Sequence, residues 1–250
     1  MILLKSKEEI EILRKASRIV AQILMELAES ICPGTTTEEL DRMAEEKIHK
    51  RGASPAFKGY RGYPRTLCAS VNEGVIHGIP DHRKIREGDI VSLDLGVFYK
   101  GYYGDSALTV AVGEVEPLTR HLLRVTEESL WNGIEKGRKG NRLGDISHAV
   151  QSHVEKNGFS VVRNFVGHGI GKDLHEAPEI PNFGSPHEGP RLREGMVLCI
   201  EPMVNRGGHE VEVLEDGWTT VTKDRSPSAH FEHTIVITEG EPEVLTLIQP

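Results

Sequence analysis

The chain is short of everything that marks a secreted or membrane protein. Among 250 residues there are three cysteines, Cys32, Cys68 and Cys199, odd in number and far apart. That excludes a disulfide framework and fits a reducing compartment; with no Cys-x-x-Cys pair, a thiolate zinc site is excluded as well. No apolar run approaches the ~20 residues that span a bilayer. Ile2, Leu3 and Leu4 before Lys5 are too few for a signal peptide. A cytoplasmic protein without a targeting segment is therefore expected. Cationic charge is scarce too: 30 Lys and Arg against 38 Asp and Glu leave a formal net charge of -8, which argues against binding nucleic acid through a basic surface. A phosphate loop is missing, because Gly167 to Lys172 falls one residue short of its spacing and Asp173 stands where Ser or Thr is needed.

What is present is a repeat. Arg86-Glu87-Gly88 opens an apolar run that closes on Asp94, and Arg193-Glu194-Gly195 opens another that closes on Glu201, each carboxylate six residues after its glycine. Runs of this length and bounding read as buried strands. A strand that ends in a buried carboxylate without a partner is costly. Two such anions, one from each copy, suggest a shared cation. The helical pattern restarts in step. Ser6 and Glu9 form a capping box ahead of Ile10, Leu13, Val20, Leu24, Leu27 and Ile31, and Thr36 and Glu39 form another ahead of Leu40, Met43, Ala44 and Ile48. Pro117 opens a third helix with Leu118, Leu122, Val125 and Leu130, and Asn141 is expected to cap a fourth with Leu143, Ile146, Val150 and Val154. Gly34 and Gly52 bracket the second helix at a spacing of 18, as do Gly140 and Gly158 the fourth, with an offset between copies of 106 against 107 at the Arg-Glu-Gly repeat. The chain is expected to be one α+β catalytic domain, residues 1–250, of two pseudo-symmetric halves, about 1–115 and 116–250. Strands are expected at 66–72, 89–98, 102–112, 160–166, 196–204, 209–215, 218–223 and 231–238, forming a curved antiparallel sheet flanked by helices, with a cleft between the halves.

The chemistry gathers at that cleft. If strands 89–98 and 102–112 form a hairpin turning at 99–100, Asp94 sits opposite Asp105 on one face, with Cβ atoms about 5 Å apart. A cation between them would relieve the repulsion. A single acidic residue beside a strand, such as Glu201 or Glu232, is usually just solvated, but four from a duplicated frame are harder to dismiss together. Of twelve histidines, His49, His121, His148 and His153 read as helix-surface residues. His77, His168 and His175 lie in glycine-rich stretches that allow close approach of a ligand. One imidazole with four carboxylates is a hard, oxygen-rich donor set, suited to Mn²⁺, Fe²⁺ or Co²⁺. Four negative charges match two divalent ions. Such a pair, about 3.5–4 Å apart, activates water as a shared hydroxide and polarises a carbonyl, which is hydrolysis.

These residues carry a resemblance over nearly the whole chain. Asn72-Glu73-Gly74-Val75-Ile76-His77-Gly78-Ile79-Pro80, the Asp94 and Asp105 pair, Gly167-His168-Gly169-Ile170-Gly171, Ile200-Glu201-Pro202-Met203 and Phe231-Glu232-His233-Thr234 resemble the motifs of the type I methionine aminopeptidases. That family has the "pita-bread" fold shared with proline-specific peptidases and creatinase. The resemblance implies that Asp94, Asp105, His168, Glu201 and Glu232 bind two divalent ions (Co²⁺, Mn²⁺ or Fe²⁺, with Zn²⁺ possible), Asp105 and Glu232 being shared by both. It implies that His77 and His175 contact substrate and stabilise the tetrahedral intermediate, and that Glu201 passes a proton to the leaving amine. Tyr60, Tyr63, Cys68 and Trp218 match the lining of the methionine pocket. Phe57 and Leu174 replace a Cys and an aromatic found in some members, and His230 is a variable neighbour of the site. The implied substrate is the initiator methionine at the N-terminus of nascent or newly made proteins near the ribosome exit, with a small second residue. The 26 positions from His175 to Glu201 and the 31 from Glu201 to Glu232 leave no room for the helical insertion of type II members. A bacterial-style monomer with no nucleic-acid or membrane partner is expected. Two rivals differ in class: a proline-specific peptidase on the same fold, and a metal-free binding module, which would be expected to have lost ligands.

Overall fold

The structure, a computed structural model, describes residues 1–248. Two helices lead, α1 (Lys7–Ser30) and α2 (Thr37–Lys50), followed by β1 (Ser54–Pro55), β2 (Leu67–Val71), β3 (Gly74–Ile76), β4 (Ile90–Tyr99) and β5 (Tyr102–Ala111). Then come α3 (Pro117–Glu135), α4 (Leu143–Lys156), β6 (Ser160–Val161), β7 (Val166–Gly169), β8 (Glu176–Pro181), β9 (Val197–Ile200) and β10 (Met203–Asn205). The chain continues through β11 (Val211–Val213), β12 (Thr220–Thr222), β13 (Ser228–His230), β14 (His233–Val236) and β15 (Glu243–Val244).

All four helices form where periodicity and caps place them. Ser6 and Thr36 each accept from the backbone N–H three residues on, and Glu9 and Glu39 reach back to the cap, a reciprocal arrangement that satisfies two end donors. The fourth helix starts one residue later than Asn141 predicts. Arg142 is the cap residue, and the Asp145 carboxylate accepts from its N–H at 2.7 Å. Asn141 instead donates its side-chain N–H to the Lys136 carbonyl. The apolar stripes face inward: Leu13, Val20, Leu24, Leu27, Leu40, Ala44, Ile48, Leu122, Val125, Ile146 and Val150 are all buried. Leu118 departs from its stripe and is 50% exposed.

Among the described residues every strand pairing is antiparallel, but the strands divide into four sheets rather than one. In the first, β4 pairs with β5, β2 and β1. A second has the order β15-β14-β9-β7-β8. Both have helices on one side. The α1–α2 layer covers β4 and β2 through Val20, Leu24, Leu40, Leu93 and Leu95. The α3–α4 pair covers β9 and β14 through Leu130, Ile146, Leu198 and Ile235. The two Arg-Glu-Gly copies adopt the same backbone. Gly88 and Gly195 have φ +86° and +84°, and their N–H groups donate to Val112 and Ile237. A left-handed φ at both positions is what calls for glycine there.

The halves are stitched together behind the cleft. Ala107 of β5 bridges Glu232, whose N–H donates to the Ala107 carbonyl at 2.8 Å. Ser106 and Thr109 donate side-chain O–H groups to the carbonyls of Glu232 and His230, and Thr234 donates to that of Asp105, all at 2.7 Å. Polar residues buried on β5 thus fix segment 230–234 against the hairpin, and with it the Glu232 side chain. No helix among the described residues is long and apolar enough to cross a membrane.

Candidate metal centre and substrate cavity

A cavity of about 350 Å³ opens between the halves. It brings together every site residue expected from the sequence: Asp94, Asp105, His168, Glu201 and Glu232, His77 and His175, and Phe57, Tyr60, Tyr63, Cys68, Trp218 and Leu174. Asp94 and Asp105 come from the β4–β5 hairpin, but in a different register from the one expected. Asp105 pairs with Gly96 and Asp94 with Ala107, because the two-residue turn is Lys100-Gly101, with φ +48° and +89°, one residue later than placed. A shift of two in the pairing sum preserves side-chain parity, so both carboxylates still share a face, as diagonal rather than direct neighbours.

His168 lies on β7, directly opposite Cys199 of β9, so the stretch read as a glycine-rich loop is a strand. Its glycines are required by packing: a Cβ at Gly167 would run into the Cys199 carbonyl oxygen, and one at Gly169 into that of Ala177. Glu201 follows β9, and Glu232 lies between β13 and β14. Asp105 and Glu232 are buried, 3% and 2% exposed, while Asp94 and Glu201 reach the cavity surface.

The electrostatics of this cluster fit a bound cation. Carboxylate oxygens of Asp94, Asp105 and Glu232 lie within 4.8 Å of one another, and so do ligand atoms of His168, Cys199 and Glu232. Glu232 belongs to both groups. Among the described residues Asp105 Oδ1 and Glu232 Oε1 are buried with no hydrogen-bond partner. Burial, reinforced by Glu232, Asp94 and Glu201, drives the Asp105 carboxyl well above the ordinary range. Glu232 rises for the same reasons, burial then Glu201 and Asp94, and Glu201 through burial and Asp94. Burial pushes Asp94 up to about 6. His168 moves the other way, down to about 3, through burial and then His175, so its ring is neutral. Its Nδ1 donates to the Gly169 carbonyl at 2.9 Å, which leaves the lone pair on Nε2. That lone pair faces Glu201 Oε1 at 3.5 Å and Asp105 Oδ2 at 3.9 Å. Lone pairs and carboxylate oxygens converging on one buried space, with two oxygens unpartnered, fit divalent ions.

The remainder of the cavity is shaped for an apolar side chain. Tyr63 donates its hydroxyl to the Leu67 and Gly78 carbonyls, which locks its ring, and it meets Trp218 edge-on with centroids 5.1 Å apart. His77 has φ +58°, a strained left-handed value. It packs edge-on against Phe165 at 5.7 Å and Trp218 at 6.1 Å, and burial lowers it to about 4. His175 stands 4.4 Å from the His168 ring, and its Nδ1 is 2.8 Å from the Tyr60 hydroxyl. His230 Nε2 is 3.6 Å from Glu201 Oε2, behind the cavity wall.

Sequence reasoning missed several lining residues: Arg61, Ile76, Asn164, Phe165 and Val166. Phe165 was legible in part, as an aromatic three residues before His168. Cys199 was also missed. Burial holds its thiol well above its ordinary value, and its sulfur lies 3.5 Å from the Thr234 hydroxyl.

Residues 11–239 match metallopeptidase family M24. The chain is 54% identical to a methionine aminopeptidase of Clostridium perfringens, each covering 100% of the other. It superposes on the crystal structure of methionine aminopeptidase from Thermotoga maritima with a TM-score of 0.98 at 50% identity, covering 99% of this chain and 100% of that one. A prolidase of Pyrococcus horikoshii shares the fold at a TM-score of 0.81, but at 25% identity, and the match covers only 65% of that chain. The pita-bread fold expected from the sequence is therefore the fold observed, and the chain belongs to metallopeptidase family M24, among its methionine aminopeptidases.

Proposed function

We propose that the protein hydrolyses the peptide bond after an N-terminal methionine, with Asp94, Asp105, His168, Glu201 and Glu232 as ligands to two divalent ions. The observation that carries this reading is the convergence of unpartnered carboxylate oxygens and the His168 lone pair at the floor of an apolar cavity. Asp105 and Glu232 would be the shared ligands, in keeping with their central, buried position. When bound, the ions supply an activated water and polarise the scissile carbonyl. Mn²⁺, Fe²⁺ and Co²⁺ suit the hard donor set, and Zn²⁺ can use it.

The chain's own residues do the rest. Phe57, Tyr63, Cys68 and Trp218 surround the unbranched thioether, which an apolar, aromatic wall accepts well. The substrate's free α-amine would approach the ions, which restricts the enzyme to chain ends. In the tautomer in which Tyr60 donates to Nδ1 of His175, the ring proton sits on Nε2, from which it can stabilise the oxyanion of the tetrahedral intermediate. His77 contacts the substrate from the opposite wall. Glu201 passes a proton to the leaving amine. The paired glycine turns and matched helix brackets support an origin of the two halves by duplication. The three free cysteines, among them exposed Cys32, suit the reducing cytoplasm, where the substrates are newly made chains leaving the ribosome and the enzyme works as a monomer.

The test is hydrolysis of Met-Ala-Ser and Ala-Pro-Ala by protein stripped of metal and refilled with Mn²⁺ or Co²⁺. Release of methionine alone is the expected result. Cleavage before proline would move the protein to the proline-peptidase branch, and hydrolysis of neither peptide would favour a binding module.

A further inference from the structure

His175 is carried by residues 170–175, an irregular stretch between β7 and β8. Such a segment holds a side chain in place only if its backbone is fixed by something else. Its first residues are held by backbone bonds, Ile170 N–H to the Val197 carbonyl at 3.2 Å and Tyr103 N–H to the Gly171 carbonyl at 2.9 Å, and the next two, Lys172 and Asp173, by the side chain that follows the segment, Glu176. Its Oε1 accepts from the backbone N–H of Lys172 at 2.8 Å and of Asp173 at 3.4 Å. Its Oε2 receives Lys5 Nζ at 2.5 Å, and the two side chains are 4% and 7% exposed. Lys5 comes from the segment ahead of α1, 171 positions away in sequence. Its own N–H donates to the Gly195 carbonyl at 2.8 Å, which anchors it at the second Arg-Glu-Gly turn. Gly171 makes the arrangement possible, since a Cβ there would strike both Lys5 Nζ and Glu176 Oε1.

A buried ion pair is a poor stabiliser, because desolvation offsets most of its attraction. What it supplies is a specific geometry. We propose that Lys5 is a positioning residue for catalysis. Acting through Glu176, it fixes the 171–175 backbone so that His175 stays against the Tyr60 hydroxyl and the His168 ring. The proposal rests on the reading of His175 as a substrate-contacting group. Lys5 itself lines no part of the cavity. Without its ammonium group, the buried Glu176 carboxylate turns toward water, releases the Lys172 and Asp173 N–H groups, and lets His175 drift.

The experiment uses the full chain refilled with Mn²⁺, with Met-Ala-Ser as substrate, and compares Lys5→Met, Lys5→Arg, His175→Ala and the Lys5→Met/His175→Ala double variant. A misplacement of about 1 Å costs about 10²-fold in rate. Lys5→Met is therefore expected to lower kcat by about 10- to 100-fold, with KM changed by no more than about threefold because Phe57, Tyr63, Cys68 and Trp218 lie on other segments. Lys5→Arg restores part of the loss. In the His175→Ala background, Lys5→Met has no further effect on kcat. A second readout stands apart from activity: in ¹⁵N-histidine spectra of the metal-free protein, Lys5→Met shifts or broadens the His175 ring signals and leaves those of His121 unchanged. If Lys5→Met does not fold, Glu176→Gln serves in its place, since it removes the charge and keeps an acceptor for the loop. An unchanged His175 signal, or an equal loss of kcat with and without His175, overturns the proposal. Normal kcat in His175→Ala alone, with the His175 signal still displaced by Lys5→Met, would instead overturn the role given to His175 in the reaction.

Discussion

Asp105→Asn is expected to abolish metal-dependent hydrolysis and at the same time to stabilise the metal-free protein. The two effects have one cause. Asp105 is 3% exposed, its Oδ1 has no partner among the described residues, and Glu232, Asp94 and Glu201 all repel its charge. In the metal-free state that carboxylate is poorly compensated buried charge. Removing it is expected to raise stability by about 1–3 kcal/mol at pH 8. In the loaded enzyme, on the proposed ligand set, the same group would be the shared anion between two ions. Losing a residue that merely supports a ligand costs 10- to 100-fold, so loss of the shared ligand itself should cost at least about 10³-fold in kcat/KM. Chemical unfolding in EDTA and steady-state assays with Mn²⁺ measure the two halves of the prediction. A variant that is less stable without metal, or one that keeps most of its activity, would contradict it.

The second large effect is on pH dependence. Metal-free protein is expected to lose stability as the pH rises above about 6.5, and divalent metal to remove that loss. In an unfolded chain, Asp and Glu titrate near 4 and His near 6.5. In the folded chain Asp94 rises to about 6, and Asp105, Glu201 and Glu232 rise well above their ordinary values. Between pH ~4 and those raised values the native state holds more protons than the unfolded one, so stability falls as pH rises. The buried histidines oppose this over part of the range. His77 and His168 fall to about 4 and about 3, so below ~6.5 the unfolded state holds the extra protons and stability rises with pH. Above ~6.5 the histidine contribution fades within about one pH unit as the unfolded-state rings lose their protons, and the carboxylates then act alone. Bound divalent ions keep the carboxylates ionised and reverse the sign. Thermal unfolding from pH 6.5 to 9, in EDTA and in Mn²⁺, should give a falling melting temperature only in EDTA. A flat EDTA profile would mean that the cluster is not strained by its own charge.

How much of this was legible in the sequence follows from which signals are local. Capping boxes at Ser6 and Thr36 and stripes at a spacing of 3.6 act within one element, so the helices were readable to a residue or two. The hairpin was readable in parity but not in register. The turn residues Lys100-Gly101 needed positive φ at both positions, and only the glycine advertises that. Strand β8 was invisible because Pro178 and Pro181 argue against a strand; it is tolerated as the last strand of its sheet. The short strands β1 and β15 form only because longer neighbours, β4 and β14, offer an edge. In the cavity, carboxylates closing apolar runs betray themselves because they contradict their surroundings. Ile76, Val166 and Phe165 do not, since an apolar residue lining a pocket looks like one filling a core. Cys199 was hidden for the same reason. Leu118 shows the converse error, an apolar residue on a helical stripe that meets solvent.

The central claim is that the four carboxylates and His168 hold two divalent ions at one site. Anomalous diffraction from crystals soaked in Mn²⁺ tests it most directly. The account predicts two peaks about 3.5–4 Å apart, both in contact with Asp105 and Glu232, one also with Asp94 and the other with His168 and Glu201. Peaks elsewhere, or none in the cavity at saturating metal, would contradict it.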